Sequence, residues 1–283
     1  MELIGVAAVA ACLVAASTTA ARVWGHAIGG VVSAFPLIVG PALLLAALRQ
    51  DAAFAATMAT ATLLGVVSLS GFVLVYGRSA RRCGWPLSLG LAWATAAVLG
   101  VLAGRVGGSL HGALLAAIVS PALAHAALPR GRHVDVPGAA PPWEMPARMA
   151  LTALLIVGLT VAGDRFGATV AGVLAALPTL ASVLALFTHA RHGHDALIAM
   201  LRGMLGGLAA FVSFCALIAL LLEPAGVIPA FLLATGAALV IQLVVALADV
   251  PARRSSRAAY PSTPVAACGA PTGLDSGEPR WRR

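Results

Sequence analysis

The sequence predicts an all-α integral membrane protein with about nine transmembrane helices, built as two inverted four-helix repeats joined by one connecting helix. Three observations support this prediction: an apolar composition, an uneven distribution of arginine among the loops, and an internal repeat. Of the 283 residues, 60% are hydrophobic and only 10% are charged, and the mean hydropathy is +0.97. Because soluble domains carry roughly 25% charged residues, this composition excludes a soluble protein.

Apolar runs between the charged residues define the predicted spans. Each run comes close to the roughly 20 residues that a helix needs to cross a bilayer. The runs are apolar throughout rather than alternating, which excludes the strands of a membrane β-barrel. The first run could also be a secretory signal, but no positive charge precedes it, so we interpret it as a retained span. The predicted spans lie near 2–21, 26–48, 53–76, 86–104, 110–128, 147–163, 167–189, 196–222 and 225–248.

Two polar segments complete the predicted domain organisation. Residues 129–146 are rich in proline, so they cannot be helical throughout. Residues 249–283 contain too few apolar side chains to build a core. The predicted order is a first four-helix repeat (1–106), connecting helix 5 (107–128), a Pro-rich cytoplasmic linker (129–146), a second inverted four-helix repeat (147–248) and a disordered cytoplasmic tail (249–283).

The arginines predict the orientation in the membrane. All 18 basic residues are Arg, against 10 acidic residues. One side of the predicted topology holds Arg22, Arg78, Arg81, Arg82, Arg130, Arg132, Arg148, Arg191, Arg253, Arg254 and Arg257, whereas the other holds only Arg49, Arg105 and Arg165. By the positive-inside rule, we expect a periplasmic N-terminus and a cytoplasmic C-terminus. The Lys-free, Ala- and Arg-rich composition indicates a bacterial protein, so we expect it in the inner membrane. No basic face is interleaved with aromatic residues, which argues against nucleic-acid binding.

An internal repeat relates the two halves of the chain at an offset of 142 positions. Without a gap, this offset pairs Gly25 with Gly167, Gly30 with Gly172, Pro36 with Pro178, Arg49 with Arg191, Gly65 with Gly207, and Phe72 with Phe214. It lays spans 1–4 on spans 6–9 and leaves span 5 as a connector. An odd number of spans separates the starts of the two units, so they cross the membrane with opposite polarity. Inverted repeats of this kind are a recurrent plan of secondary transporters.

Prolines near the centres of spans 2 and 7 predict two broken helices. Pro36 is followed by Pro41 in span 2, and Pro178 is equally central in span 7. A proline removes a backbone donor and clashes with the preceding turn, and paired interruptions of this kind point to a binding site at the bilayer midplane. The predicted substrate-binding residues are Ser33, Pro36, Gly40, Pro41, Pro178, Thr179, Ser182 and Arg202. The small residues among them can equally serve close helix packing.

Charged residues at or within the spans allow more than one interpretation. Arg202 lies well inside a predicted span, where its guanidinium could bind an anion or extend to the interface. Arg49 and Arg191 end spans 2 and 7, where they could gate the pathway or stabilise helix C-termini. Asp51 and Asp195 begin spans 3 and 8, where a carboxylate can cap free amides.

No motif predicts catalysis or a bound cofactor. His189, His192 and His194 could attract a transition metal, but an ordinary interfacial loop is favoured, and we predict no metal. The chain has no Walker, H-E-x-x-H or G-x-S-x-G motif. No acidic residue lies in the middle of a predicted span, which disfavours coupling through a buried carboxylate.

A short segment carries a resemblance to a known family. The sequence from Ile28 to Leu37, Ile-Gly-Gly-Val-Val-Ser-Ala-Phe-Pro-Leu, followed by Gly40, resembles the glycine-rich, proline-containing segment of the TauE/SafE sulfite and organosulfonate exporters. The resemblance covers about one span and the start of the next. It implies export of small anions, with the segment from Gly30 to Gly40 near the substrate. More broadly, the chain resembles bacterial multi-spanning inner-membrane proteins.

Together these patterns favour a permease that binds a small, anionic or amphiphilic metabolite and has no enzymatic activity. Its expected partners are the lipid bilayer and the small-molecule substrate, and homo-oligomerisation stays open. One alternative is a non-transporting membrane scaffold or assembly subunit, which would bind a partner protein. Another is a flippase for a lipid-linked substrate, which would present a groove to the lipid.

Overall fold

The computed structural model describes residues 2–36, 39–106, 109–129, 143, 145–154, 157 and 178–258. All regular secondary structure in these ranges is helical. The helices are α1 (Glu2–Trp24), α2 (His26–Ser33), α3 (Val39–Arg49), α4 (Ala52–Ser79), α5 (Trp85–Val106), α6 (Leu110–Ala127), α7 (Thr179–Ala225) and α8 (Val227–Ala258). A further helical segment covers 145–154.

Five of the described helices are long and apolar enough to cross a membrane. These candidate spans are Ala52–Ser79, Trp85–Arg105, Leu110–Ala127, Thr179–Ala225 and Val227–Ala248. Their outer faces expose large apolar side chains, including Val98 and Leu102 of α5, Leu115 and Leu123 of α6, and Leu239 of α8. A surface of this kind is stable when lipid covers it. The all-α class predicted from the sequence is confirmed for the described residues, and five of their helices have the length and composition of membrane spans. Helix α8 continues to Ala258, past the predicted span end at 248.

The predicted interruption of span 2 is confirmed. Helix α2 ends at Ser33, and α3 is described from Val39. Pro36 is buried between them in a non-helical conformation, and its carbonyl oxygen accepts a hydrogen bond of 2.8 Å from the Gly40 amide. Since proline has no amide hydrogen, it cannot continue the helical hydrogen bonds of α2.

A glycine bends α7 within its length. Gly193 has φ +77° and ψ −174°, which divides α7 into helical segments 179–192 and 194–225. L-residues with a side chain rarely adopt this conformation. The bend falls where the sequence predicted a loop between spans 7 and 8. The Thr188 hydroxyl before it lies 3.4 Å from the Met200 sulfur after it, so the two segments fold back on each other. Asp51 caps α4 as expected, because its Oδ1 accepts a hydrogen bond of 2.6 Å from the Phe54 amide.

Helices α4 and α7 form the centre of the bundle. Both carry fully buried large side chains, among them Phe72 and Tyr76 of α4, and Leu201 and Leu208 of α7. Helices α5 and α6 pack on α4, whereas α2 and α8 pack on α7. Each of these outer helices buries one face against α4 or α7, and its other face points away from the bundle.

Helices α2 and α7 cross at a point where their backbones touch. A Cβ atom on Gly30 would overlap the backbone of Met200, and one on Gly203 would overlap the Ala27 carbonyl. Small residues allow such close approach between membrane helices. The crossing fixes α2, and with it the end of α1, against the part of α7 that follows the bend.

Candidate functional site

The predicted residues around the first break lie between α2 and α3. The Ser33 hydroxyl donates a hydrogen bond of 2.6 Å to the Gly30 carbonyl, and Ser33 is buried. Gly40 faces α7, where a Cβ atom would lie 3.5 Å from the Phe214 ring. Pro41 lies in the first turn of α3. The residues around the first break therefore pack against the middle of α7.

The predicted residues around the second proline have different neighbours. Pro178 precedes α7, which begins at Thr179. The buried Ser182 hydroxyl donates a hydrogen bond of 2.7 Å to the Pro178 carbonyl and accepts one of 2.7 Å from the Trp93 indole in α5. The hydrogen bonds of the Ser182 hydroxyl lead to Pro178 and to Trp93, so a shared site between the two breaks stays a prediction.

Arg202 is bound to the end of α6. Its Nη1 donates hydrogen bonds of 3.2 Å to the carbonyl oxygens of both His125 and Leu128. These carbonyls belong to the last turn of α6, where the helix dipole is negative and a cation is stabilising. The guanidinium thus has a structural role, and its use as a substrate ligand stays a prediction.

The remaining residues of the repeat motif occupy varied environments. Gly25 joins α1 to α2 with φ +93°. Arg49 is exposed at the end of α3, and the Arg191 guanidinium lies 5.4 Å from the centre of the Trp143 ring. Phe72 and Phe214 are both buried. Gly65 has no described atom within 4 Å of a Cβ position, unlike Gly207. Gly167 and Gly172 lie outside the described residues.

A cavity lies at one end of the bundle, between the C-terminal part of α1, the start of α2, segment 145–154 and the bend of α7. It is a small cavity of about 20 Å³, which is room for a group about the size of one or two water molecules. The residues that line it are Ser17, Thr18, Ala21, Arg22, His26, Gly29, Arg148, Leu184, Thr188, His192 and Met200. This lining contains two arginines, two histidines and three hydroxyl side chains, but no carboxylate. We refer to it as the arginine cavity.

Several contacts hold the cationic side chains of the arginine cavity in place. Arg148 is 4% exposed; its Nη1 donates a hydrogen bond of 3.3 Å to the Thr18 hydroxyl, and its guanidinium lies 5.0 Å from the centre of the Phe187 ring. The rings of His26 and His192 lie 4.8 Å apart, centre to centre. Thus α1, α2, α7 and segment 145–154 each contribute a basic side chain to one small volume.

The described residues do not form a metal centre. No group of three His, Cys, Asp or Glu side chains comes together in the described ranges. His194 instead pairs with Asp195, with 3.4 Å between Nδ1 and Oδ1, and His189 packs against Tyr76 with 5.9 Å between ring centres. The histidine-rich stretch of α7 therefore contributes one ring, His192, to the arginine cavity.

Sequence reasoning missed the arginine cavity. Arg22 and Arg148 indicated only membrane orientation, and His26 indicated an interfacial position. One signal was available, because the positive-inside assignment puts Arg22, Arg148 and the loop containing His192 on the same side of the membrane. That assignment does not predict which of these basic residues meet.

Comparison with known proteins gives no relative for this chain. No protein-family model, no curated protein and no solved structure matches it.

Proposed function

We propose that this protein is a secondary transporter of the bacterial inner membrane that moves a small, anionic or amphiphilic metabolite. Transport proceeds by alternating access between two inverted four-helix repeats. One observation carries the proposal: helix boundaries recur at the same 142-residue interval in both halves of the chain.

Three pairs of positions show this recurrence. Pro36 lies in the break before α3, and Pro178 lies directly before α7. Helix α4 begins at Ala52, and the second segment of α7 begins at position 194, after Gly193. Helix α5 begins at Trp85 and α8 at Val227. The second pair is independent of sequence identity, because Asp51 precedes one helix start and Gly193 the other.

Interrupted helices suit transport for two physical reasons. They bring free backbone groups and partial charges of half-helices into the membrane, where these can hold a solute. They also supply hinges, since a few residues at helix ends can absorb large changes of φ and ψ. Gly193 and Gly226 both have positive φ and can act in this way. In the proposed order of nine spans (4+1+4), the two repeats have opposite polarity. A hinge in one repeat would therefore have its counterpart on the other side of the membrane.

The basic side chains support the proposed orientation. The Arg78 Nε donates a hydrogen bond of 3.3 Å to Ala127 at the end of α6, where Arg202 also binds. Arg22 and Arg148 meet in the arginine cavity, and Arg191 lies just before the bend of α7. These residues all belong to the side that the positive-inside rule assigns to the cytoplasm.

Transport assays in proteoliposomes test the proposal. We would measure uptake of radiolabelled acetate, methanesulfonate, sulfate and choline by the purified full chain. We expect uptake of at least one anion by the wild type and its loss in a Pro36→Ala, Pro178→Ala double variant. Pro121→Ala is the matched control, because Pro121 is buried within the continuous helix α6.

Two outcomes would contradict the proposal. Unchanged uptake in the double variant would exclude the paired breaks as the moving site. Absence of uptake with every probe, together with a stoichiometric partner protein after detergent extraction, would favour the scaffold function instead.

A further inference from the structure

The arginine cavity contains buried polar atoms that lack a hydrogen-bond partner among the described residues. They are the Ser17 hydroxyl oxygen and the Arg22 Nη2, and Ser17 is only 1% exposed. Buried donors are nearly always paired in folded proteins, and a guanidinium can only donate. The chemical group that would satisfy them is an acceptor placed inside the cavity.

The charges around these atoms indicate which acceptor fits. The Arg22 and Arg148 guanidiniums stay protonated at any physiological pH. The histidine rings lie beside them, and the described residues that line the cavity include no carboxylate. Bringing such groups together costs electrostatic energy in a partly buried volume, and a bound negative charge offsets that cost. A cation would add to the repulsion, so the cavity selects for an anion.

The geometry of the arginines and the chemistry of the wall narrow the class of anion further. Guanidinium groups pair with the planar or tetrahedral oxygens of carboxylate, sulfonate, sulfate and phosphate, often through two parallel hydrogen bonds. The hydroxyl groups of Ser17 and Thr18 can supply additional donors. The rest of the wall is apolar and formed by Ala21, Leu184 and Met200. A single charged head with a short apolar group matches both parts of this wall.

We propose that the arginine cavity is a binding site for a small oxyanion, with Arg22 and Arg148 as its charged ligands and Ser17 as a hydroxyl donor. Its use as the cytoplasmic-side substrate site rests on the proposed transport function. The binding itself does not, because it can be measured without a membrane gradient. Both parts of α7 line the cavity, because Leu184 and Thr188 precede Gly193 and Met200 follows it.

Thermal unfolding of the purified full chain in detergent tests the binding. A ligand that binds only the native state raises its apparent stability by RT ln(1 + L/Kd), where L is the free ligand concentration. We would titrate acetate, propionate, sulfate and inorganic phosphate against sodium chloride at equal ionic strength. We expect at least one oxyanion to raise the midpoint above the chloride control, and the concentration dependence gives its affinity.

Single variants test whether the oxyanion binds in the arginine cavity. Arg22→Gln removes a charged donor and is expected to weaken oxyanion binding by about tenfold or more. Ser17→Ala is expected to weaken it by a few-fold. Arg49→Gln is the matched control, because Arg49 is an exposed arginine at the end of α3, outside the cavity. If Arg148→Gln does not fold, because Arg148 is buried, Arg22→Gln and Ser17→Ala still decide the question.

The outcomes separate this inference from the proposed function. No stabilisation by any oxyanion beyond chloride would overturn the site and indicate that water satisfies the free donors. Equal affinities in the wild type and Arg22→Gln would overturn it as well. Oxyanion binding by a protein that shows no uptake would support the binding site and contradict the transporter. Uptake that is unaffected by Arg22→Gln would contradict only the use of the arginine cavity as the substrate site.

Discussion

Gly207 of α7 lies against the backbone of α2, where a Cβ atom would be 2.7 Å from the carbonyl oxygen of Val31. Backbone atoms cannot move aside as a flexible side chain can, so we expect Gly207→Ala to separate the two helices. Overpacking of this kind costs about 1–3 kcal/mol. The measurement is the thermal midpoint of the purified protein in detergent.

Gly65→Ala is the matched control for Gly207→Ala. Position 65 is related to position 207 by the repeat, but no described atom lies within 4 Å of its Cβ position. Alanine is the better helix former by up to about 1 kcal/mol, so the Gly65 variant is expected to be as stable as the wild type or slightly more stable. Equal losses in both variants would contradict the helix crossing.

The bend at Gly193 gives a second prediction. Its φ of +77° and ψ of −174° belong to a region that is essentially restricted to glycine. Gly193→Ala is therefore expected to destabilise the protein by about 1–3 kcal/mol, even though no described atom lies within 4 Å of a Cβ atom there. Gly236→Ala, at an equally open position inside α8, provides the comparison in the same unfolding assay. A stable Gly193 variant would show that the bend can straighten without cost.

The helices and the first break were predictable because they depend on local chemistry. Apolar runs of adequate length form helices in lipid, where the backbone must satisfy its own hydrogen bonds. The break at Pro36 follows from the missing donor of proline. At the bend of α7, the sequence predicted a loop between spans 7 and 8, but not that one residue, Gly193, makes the bend between the two helical segments.

The arginine cavity could not be predicted in the same way, because it depends on tertiary contacts. Arg22 and Arg148 come from segments far apart in the chain, and each alone has the pattern of an orientation signal. The hydrogen bond from Arg148 to Thr18 joins segment 145–154 to α1, and the sequence does not show that these two segments will meet. Ser182 illustrates the same limit, since its contact with Trp93 joins α7 to α5.

The hydrogen bond between Trp93 and Ser182 gives a third prediction. The Ser182 hydroxyl accepts a hydrogen bond from the Trp93 indole and donates one to the Pro178 carbonyl. It therefore already acts as both donor and acceptor inside the protein. A double-mutant cycle of Ser182→Ala and Trp93→Phe is expected to give a coupling free energy of about 1 kcal/mol. Additive losses of unfolding free energy would mean that the two helices pack without this bond. In that case the Ser182 hydroxyl would be available to a solute, as the sequence analysis predicted.

Arg202 provides a prediction that separates a structural arginine from a ligand-binding one. Because its guanidinium binds two carbonyl oxygens at the end of α6, we expect Arg202→Gln to lower the thermal midpoint. Hydrogen bonds to charged groups contribute about 1.5–3 kcal/mol. Oxyanion affinity, measured by the same unfolding titration, is expected to remain within a few-fold of the wild type. A loss of affinity as large as that of Arg22→Gln would instead place Arg202 among the substrate ligands.

Cys83 allows the orientation of the bundle to be measured directly. It lies at the turn between α4 and α5, among the arginines assigned to the cytoplasm. Helix α4 has 28 residues, which corresponds to a length of about 42 Å, so the exposed Gln50 just before it lies at the opposite end. With the other cysteines replaced by serine, a membrane-impermeant maleimide is expected to label Cys83 in inside-out vesicles but not in spheroplasts. A Gln50→Cys variant that also carries Cys83→Ser should show the reverse pattern, because residue 50 would face the periplasm. Labelling of Cys83 from the outside would invert the topology and move the arginine cavity to the periplasmic end of the protein.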